Sequence, residues 1–348
     1  LSIKINNLVK SPKRTFYEVI SCESGKNMHK KAPSYILAKE AKQLNRIAVE
    51  LEKETEIGVD LEADSMFHYH EKICLIQIST PDRNIIVDPL AINDLSPLAP
   101  VFSNPKIRKV FHGADYDIRS LYRDSKIKVR ALFDTHIAAK VLGLEETGLA
   151  ALLKDKLGVV MDKKYQRRDW SKRPLSPAML AYAVQDTCYL LPLSRILDRE
   201  LQAKDRSMVF EEECERQARV RPAPLDKSPL FMKFKGARKL RPRDLAVLDS
   251  ILRLRDDMAK RKDRPPFKIL GNEQIMEIAK RKPSTKEELG RIRGVSARQV
   301  GMLGPSILKR VKEALALPEN QLPSFPKKTR GRDKGKRPPD RGRNRARF

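Results

Sequence analysis

The chain has 348 residues, 40% of them apolar, which is enough to bury the cores of two domains and excludes a small scaffold held by disulfides. Its formal charge of +27 exceeds what solubility requires and favours a polyanionic partner. Nucleic acid comes before a membrane, because no run approaches the roughly 18 to 20 apolar residues of a spanning helix.

Taken in chain order, residues 1–34 carry no motif and no apolar signal core, so cytoplasmic residence is the simplest expectation. Ala38 to Lys53 reads as helix. Ile57 to Leu61 (IGVDL), Ile73 to Ser79 (ICLIQIS) and Asn84 to Asp88 (NIIVD) are β-branched runs separated by turn-forming or charged residues, which predicts a three-strand meander. The text then passes through a short apolar pair, KVFH, to a helix with Ile118, Leu121 and Tyr122 on one face. Phe133 to Leu142, Leu149 to Leu157 and Pro177 to Leu201 keep helical spacing. An α/β layered domain is expected over 35–220.

A Pro- and Lys-rich linker follows over 221–237. Helical patterns at Leu245 to Met258, Asn272 to Ala279, Thr285 to Leu289 and Val300 to Leu315 predict a small all-helical domain over 238–318. In the tail, 319–348, the stretch Lys327 to Phe348 holds eleven Lys or Arg against two Asp and is expected to be disordered. Cys22, Cys74, Cys188 and Cys214 form no CxxC pair, and the five His are scattered, which argues against a zinc site or a His-based triad.

Three acidic elements remain. Asp60 and Glu62 lie two apart on a predicted strand and project from one face, a costly pair unless cations compensate it. Hard divalent ions accept such oxygen ligands; the bland reading is a solvated strand edge. In VFHGADYDIRSL, Asp115 and Asp117 follow a Gly-containing turn, where an acid can equally cap a helix. In YAVQD, Tyr182 and Asp186 stack four residues apart on one helical face, as a core tyrosine with a surface aspartate also would.

Strand D-x-E, an Asp five residues after His112 and helical Y-x-x-x-D, in that order, resemble the tyrosine-bearing branch of the DEDD exonucleases. FDTHIAAKVLG from Phe133 and YQRRDWSKRPLSPAMLAYAVQDTCYLL from Tyr165 extend the similarity to the ribonuclease D family and the related nuclease of the eukaryotic exosome, over roughly Ile57 to Leu201. The resemblance implies a ribonuclease H-like fold, a mixed sheet flanked by helices. It further implies that Asp60, Glu62, Asp117 and Asp186 ligate two divalent ions, Mg²⁺ or Mn²⁺, while Tyr182 orients the attacking water. Asp115 is not carried over.

The activity so implied is 3′ to 5′ trimming of structured RNA such as tRNA precursors, releasing nucleoside 5′-monophosphates. His112, Gln166, Arg168 and Trp170 are candidate substrate contacts, with Trp170 either a base-stacking platform or a core anchor. Lys163, Lys164, Arg167 and Arg173 fit an electrostatic path for phosphates. The text from LRPRDLAVLDS to GRIRGVS looks like an HRDC domain, an auxiliary nucleic-acid-binding module. A DNA exonuclease with the same carboxylates and a non-catalytic RNA-binding protein are the alternatives.

Overall fold

The computed structural model describes residues 34–224 and 228–326. The segment before them, with Cys22, and the basic stretch from Lys327 lie outside the described residues. The chain divides near residue 227 into two compact units, with Lys262–Pro265 grouped with the first.

The first unit is built on a six-stranded sheet of order β1-β4-β3-β2-β5-β6. Its strands are β1 (Tyr35–Ala38), β2 (Glu56–Ala63), β3 (Ile73–Ser79), β4 (Asn84–Val87), β5 (Arg108–Phe111) and β6 (Leu132–Asp134). The β2-β3-β4 meander is antiparallel, whereas β5 joins β2, β6 joins β5 and β1 joins β4 in parallel. The sheet is therefore mixed. All seven residues of β3 are buried, as expected of an ICLIQIS run covered on both faces.

Helices α1 (Ala41–Leu51), α2 (Ala99–Ser103), α3 (Asp115–Ser125), α4 (Thr135–Leu142), α5 (Leu149–Leu157), α6 (Pro177–Cys188), α7 (Leu190–Ala203) and α8 (Ser207–Ala218) complete this unit. Alternation along β2 divides its side chains. Ile57, Val59 and Leu61 enter the main apolar core with α1 residues Leu44, Ile47 and Leu51. Gly58, Asp60 and Glu62 turn to the other face, the one α6 covers. Beside them Leu75 and Ile86 pack with Trp170, Leu180, Tyr182 and Ala183 in a second apolar cluster.

Three details depart from the sequence reading. Tyr35–Ala38 is an edge strand where no strand was expected, formed because β4 offers it a parallel partner in register, Tyr35 opposite Asn84. Leu132–Asp134 is a strand and not the start of a helix; α4 begins only where the Asp134 carboxylate accepts the backbone N–H groups of His136 and Ile137. The helix expected from Pro177 to Leu201 is two helices meeting at Tyr189. Pro192 explains the break: it has no N–H for the Cys188 carbonyl four residues back, and its ring crowds that carbonyl.

The second unit is all-helical, with α9 (Pro242–Arg261), α10 (Pro266–Ile269), α11 (Asn272–Arg281), α12 (Lys286–Gly290) and α13 (Ala297–Leu315). Leu245, Leu248, Ile251, Ile275, Ile278, Ile307 and Val311 are buried in it. Ser296 and Gln299 form a capping box that starts α13. No described helix is long and apolar enough to cross a membrane.

Candidate active site

The site lies where β2 passes under α6. Asp60 and Glu62 share one face of the strand, and Asp186 comes down from the helix, so that one carboxylate oxygen from each lies within 4.8 Å of the others. Asp117, on the first turn of α3, is buried and stands outside that trio, yet close enough for its charge to act on Glu62 and for that of Asp60 to act on it.

Two features allow α6 to come this near. Gly58 presents no side chain where a Cβ would fall 3.0 Å from the Thr187 carbonyl oxygen. The Ser79 and Thr187 hydroxyls then bond at 2.6 Å across the gap. Gly58 and Ser79 carry no local signal in the sequence; the β2-β3 register sets them opposite each other, and α6 packs Thr187 against both. Ser176 starts α6 by accepting the Met179 N–H, with Pro177 in the first turn, and the helical repeat then puts Tyr182 and Asp186 on one side.

Asp134 sets the position of Asp117. Its buried carboxylate accepts N–H groups from Gly113 and Ala114, both at 2.8 Å, as well as those from His136 and Ile137 at the start of α4. Gly113 adopts φ +73°, so the turn from β5 into α3 needs a residue without a Cβ. Sequence reading passed over Asp134 as a ligand-orienting group; its place after the apolar pair Leu132 and Phe133 and ahead of THIAAKVL is an N-cap signal that could have found it.

Electrostatically, the four acids are crowded and uncompensated: no ion pair among the described residues involves them. Burial, opposed by the Leu61 N–H, lifts Asp60 to about 7. Burial and the charge of Asp60 lift Asp186 to about 8. Glu62 rises to about 10 through burial and then the charges of Asp60, Asp186 and Asp117. Asp117 is likewise raised well above the carboxylate range by burial, Asp60 and Asp134. An oxygen-only donor set that resists carrying its own charge fits hard divalent cations, which would supply the missing positive charge.

Tyr182 is buried, and its phenol is raised by burial and by Asp186, Glu62 and Asp60, so it stays protonated at neutral pH. Tyr165 meets it edge-on, with centroids 5.8 Å apart. Lys164 and Arg168 lie over the Tyr165 ring, 5.5 and 5.9 Å from its centroid. Sequence reading did not single out Tyr165, which links the basic loop to the site.

The other candidates are scattered. Gln166 and Arg168 are exposed on that loop. Trp170 is 1% exposed and packs on Tyr182 at 6.3 Å, so of its two readings the core anchor holds; no ring face is open to a base. Arg173 is corrected too. Its guanidinium is engaged by the buried Asp88 through Nε at 2.8 Å and Nη2 at 2.6 Å, and donates to the Cys74 and Trp170 carbonyls, which ties the loop down instead of facing phosphates. His112 bonds Thr135 through Nδ1 at 2.9 Å, and burial lowers it to about 4, so it is neutral. The Thr135 hydroxyl donates to the Phe111 carbonyl and so accepts from His112, which fixes the Nδ1–H tautomer. Asp115 is exposed and paired with Arg119 one turn on.

Known proteins are similar to this chain in sequence and fold. Residues 35–202 match the family model of the 3′-5′ exonuclease domain, and residues 244–311 that of the HRDC domain. The fold and its acidic cluster, with these two matches, thus define an exonuclease that works from the 3′ end and carries an HRDC domain. Over 277 residues the chain is 30% identical to ribonuclease D of Haemophilus influenzae, spanning 78% of this chain and 69% of that protein. The catalytic core of RRP6 from Trypanosoma brucei superposes with a TM-score of 0.72 at 30% identity, covering 87% of this chain and 89% of that one. Escherichia coli RNase D, described as an exoribonuclease involved in structured RNA processing, does so with a TM-score of 0.70 at 27% identity, over 84% and 78% of the two chains. The chain belongs to the ribonuclease D family and is a 3′-5′ exoribonuclease.

Proposed function

We propose that this enzyme trims the 3′ ends of structured RNA, tRNA precursors among them, by two-metal-ion hydrolysis that releases nucleoside 5′-monophosphates. The observation that carries the reading is the meeting of Asp60, Glu62 and Asp186 within 4.8 Å, with Asp117 beside them and no ion pair to any of the four among the described residues. Asp60, Glu62, Asp117 and Asp186 are assigned as ligands of two divalent ions, Mg²⁺ or Mn²⁺. Such ions, when bound, acidify a water and stabilise the leaving 3′ oxygen.

The chain's own residues do the rest. Tyr182, held neutral, donates or accepts a hydrogen bond to position the attacking water and, being protonated, has no phenolate to act as its base. The exposed Lys164, Arg167 and Arg168 offer charge to the phosphates of the incoming strand. Residues 35–220 are assigned to the nuclease, 221–237 to a linker and 238–318 to the HRDC domain, an auxiliary RNA-binding module; 1–34 and 319–348 flank them. Substrate class follows the bacterial relatives, one of which processes structured RNA.

The test is a time course on matched 5′-labelled RNA and DNA oligonucleotides, with and without Mg²⁺ or Mn²⁺, for the wild type, Asp60→Asn and Asp117→Asn. The expected result is a metal-dependent ladder shortening from the 3′ end of RNA, with both variants inactive but still binding RNA. Preference for DNA would overturn the substrate assignment, and active variants would overturn the ligand set.

A further inference from the structure

The sheet face under α6 also holds a polar side chain that the proposed chemistry leaves unused. Gln77 of β3 is 0% exposed, and neither its Nε2 nor its Oε1 has a hydrogen-bond partner among the described residues. An apolar residue of the same size would avoid the cost of stripping water from an amide and giving it nothing in return. A hydrogen bond made only in the working state would account for its presence.

Strand register indicates which partner. Gln77 lies directly opposite Asp60 across the antiparallel β2-β3 ladder, and opposed residues project from the same face with Cβ atoms about 4.5 to 5.5 Å apart. On its other flank Gln77 faces Ile86 of β4, which is apolar. Along its own strand the same-face neighbours are Leu75, also apolar, and Ser79, whose hydroxyl is engaged with Thr187 at 2.6 Å and Asn84 at 2.8 Å. Among these sheet neighbours the group with acceptor capacity to spare is the Asp60 carboxylate, directly across the ladder. A side-chain amide brings two N–H donors and no charge, so it can hold a carboxylate in place without competing for its role as a ligand.

We propose that Gln77 is a positioning residue for Asp60: when the four carboxylates hold divalent ions, the Gln77 amide donates to the Asp60 carboxylate and fixes the orientation in which it ligates. This rests on the ligand assignment made above. Outer partners of this kind tune metal affinity by about 10- to 100-fold.

The test is Mn²⁺ binding to the full chain, without RNA, by titration calorimetry at neutral pH for the wild type, Gln77→Met and Asp60→Asn. Methionine keeps the length and fills the same space without the amide. Mn²⁺ affinity should fall about 10- to 100-fold in Gln77→Met, while the melting temperature of the metal-free variant stays level or rises, because an unpaired buried amide has been removed. Affinity in Gln77→Met within about two-fold of wild type would overturn the proposal while leaving the ligand set intact. If the wild type binds Mn²⁺ no better than Asp60→Asn, the ligand assignment fails and Gln77 with it. Should Gln77→Met not fold, the side-chain ¹⁵NH₂ signal of Gln77 in the wild type provides the readout: it must shift and gain exchange protection on adding Mg²⁺, and an unresponsive signal overturns the proposal.

Discussion

Gly58 of β2 faces Thr187 of α6 so closely that a Cβ on the glycine would sit 3.0 Å from the Thr187 carbonyl oxygen. The oxygen belongs to helix backbone and cannot swing aside as the end of a long side chain could. Gly58→Ala is therefore expected to push α6 off the sheet, costing about 1 to 3 kcal/mol of stability and separating Asp186 from Asp60. Thermal melts and RNA turnover together check this. A variant with wild-type melting and turnover would show that the close approach does not set the site.

Tyr182 sits under a cluster of acids that keeps its proton in place. If it positions water, Tyr182→Phe should lower kcat by about 100-fold, no more than the low end of what a general acid or base contributes, with KM for RNA nearly unchanged. The pH–rate profile should keep both of its limbs, since a group that does not titrate removes none when deleted. Loss of the alkaline limb in the variant would assign the phenol a base role instead.

In the metal-free protein, stability should fall as pH rises. Asp60 and Asp186 hold protons up to about 7 and 8 in the fold, against about 4 in the unfolded chain. The native state thus binds more protons than the unfolded one across that window, so their contribution is complete below pH 4 and is lost as pH climbs through 7 to 8. Melting in a chelator should drop from pH 5 to pH 8, and the drop should shrink in Asp60→Asn. Added Mg²⁺ should stabilise more at pH 8 than at pH 5, because the ligands must release protons to bind it. A flat melting profile in chelator would contradict the crowded-carboxylate picture.

Removing Lys327 to Phe348 takes away eleven basic residues and two acidic ones. RNA affinity should weaken and its dependence on salt should flatten, since fewer counterions are released. Cleavage of a short single strand at saturating concentration should persist. If it disappears, the tail contributes more than electrostatic capture.

Features that depend on local periodicity were legible. The D-x-E pair reads as one face because strands alternate, and Tyr182 with Asp186 reads as one face because helices repeat; the α/β layering followed from the same patterns, and the mixed sheet with flanking helices from the family resemblance. What stayed hidden depends on distant pairing. Gly58, Gln77 and Ser79 acquire meaning from the register of β2, β3 and α6, and Asp88 claims Arg173 across 85 positions of sequence. Trp170 had two readings because an aromatic beside basic residues suits a core as well as a nucleic-acid channel; burial against Tyr182 resolves it. The edge strand Tyr35–Ala38 is four residues long, too short for a period to show.

Asp134 has one further consequence. A single carboxylate receives the amides of Gly113 and Ala114 ahead of α3 and those of His136 and Ile137 in α4. The two helices share one anchor, so neither can fray at its start without releasing the other. Hydrogen exchange at these four amides should report a single cooperative opening, and Asp117 keeps its place for as long as that unit stays closed.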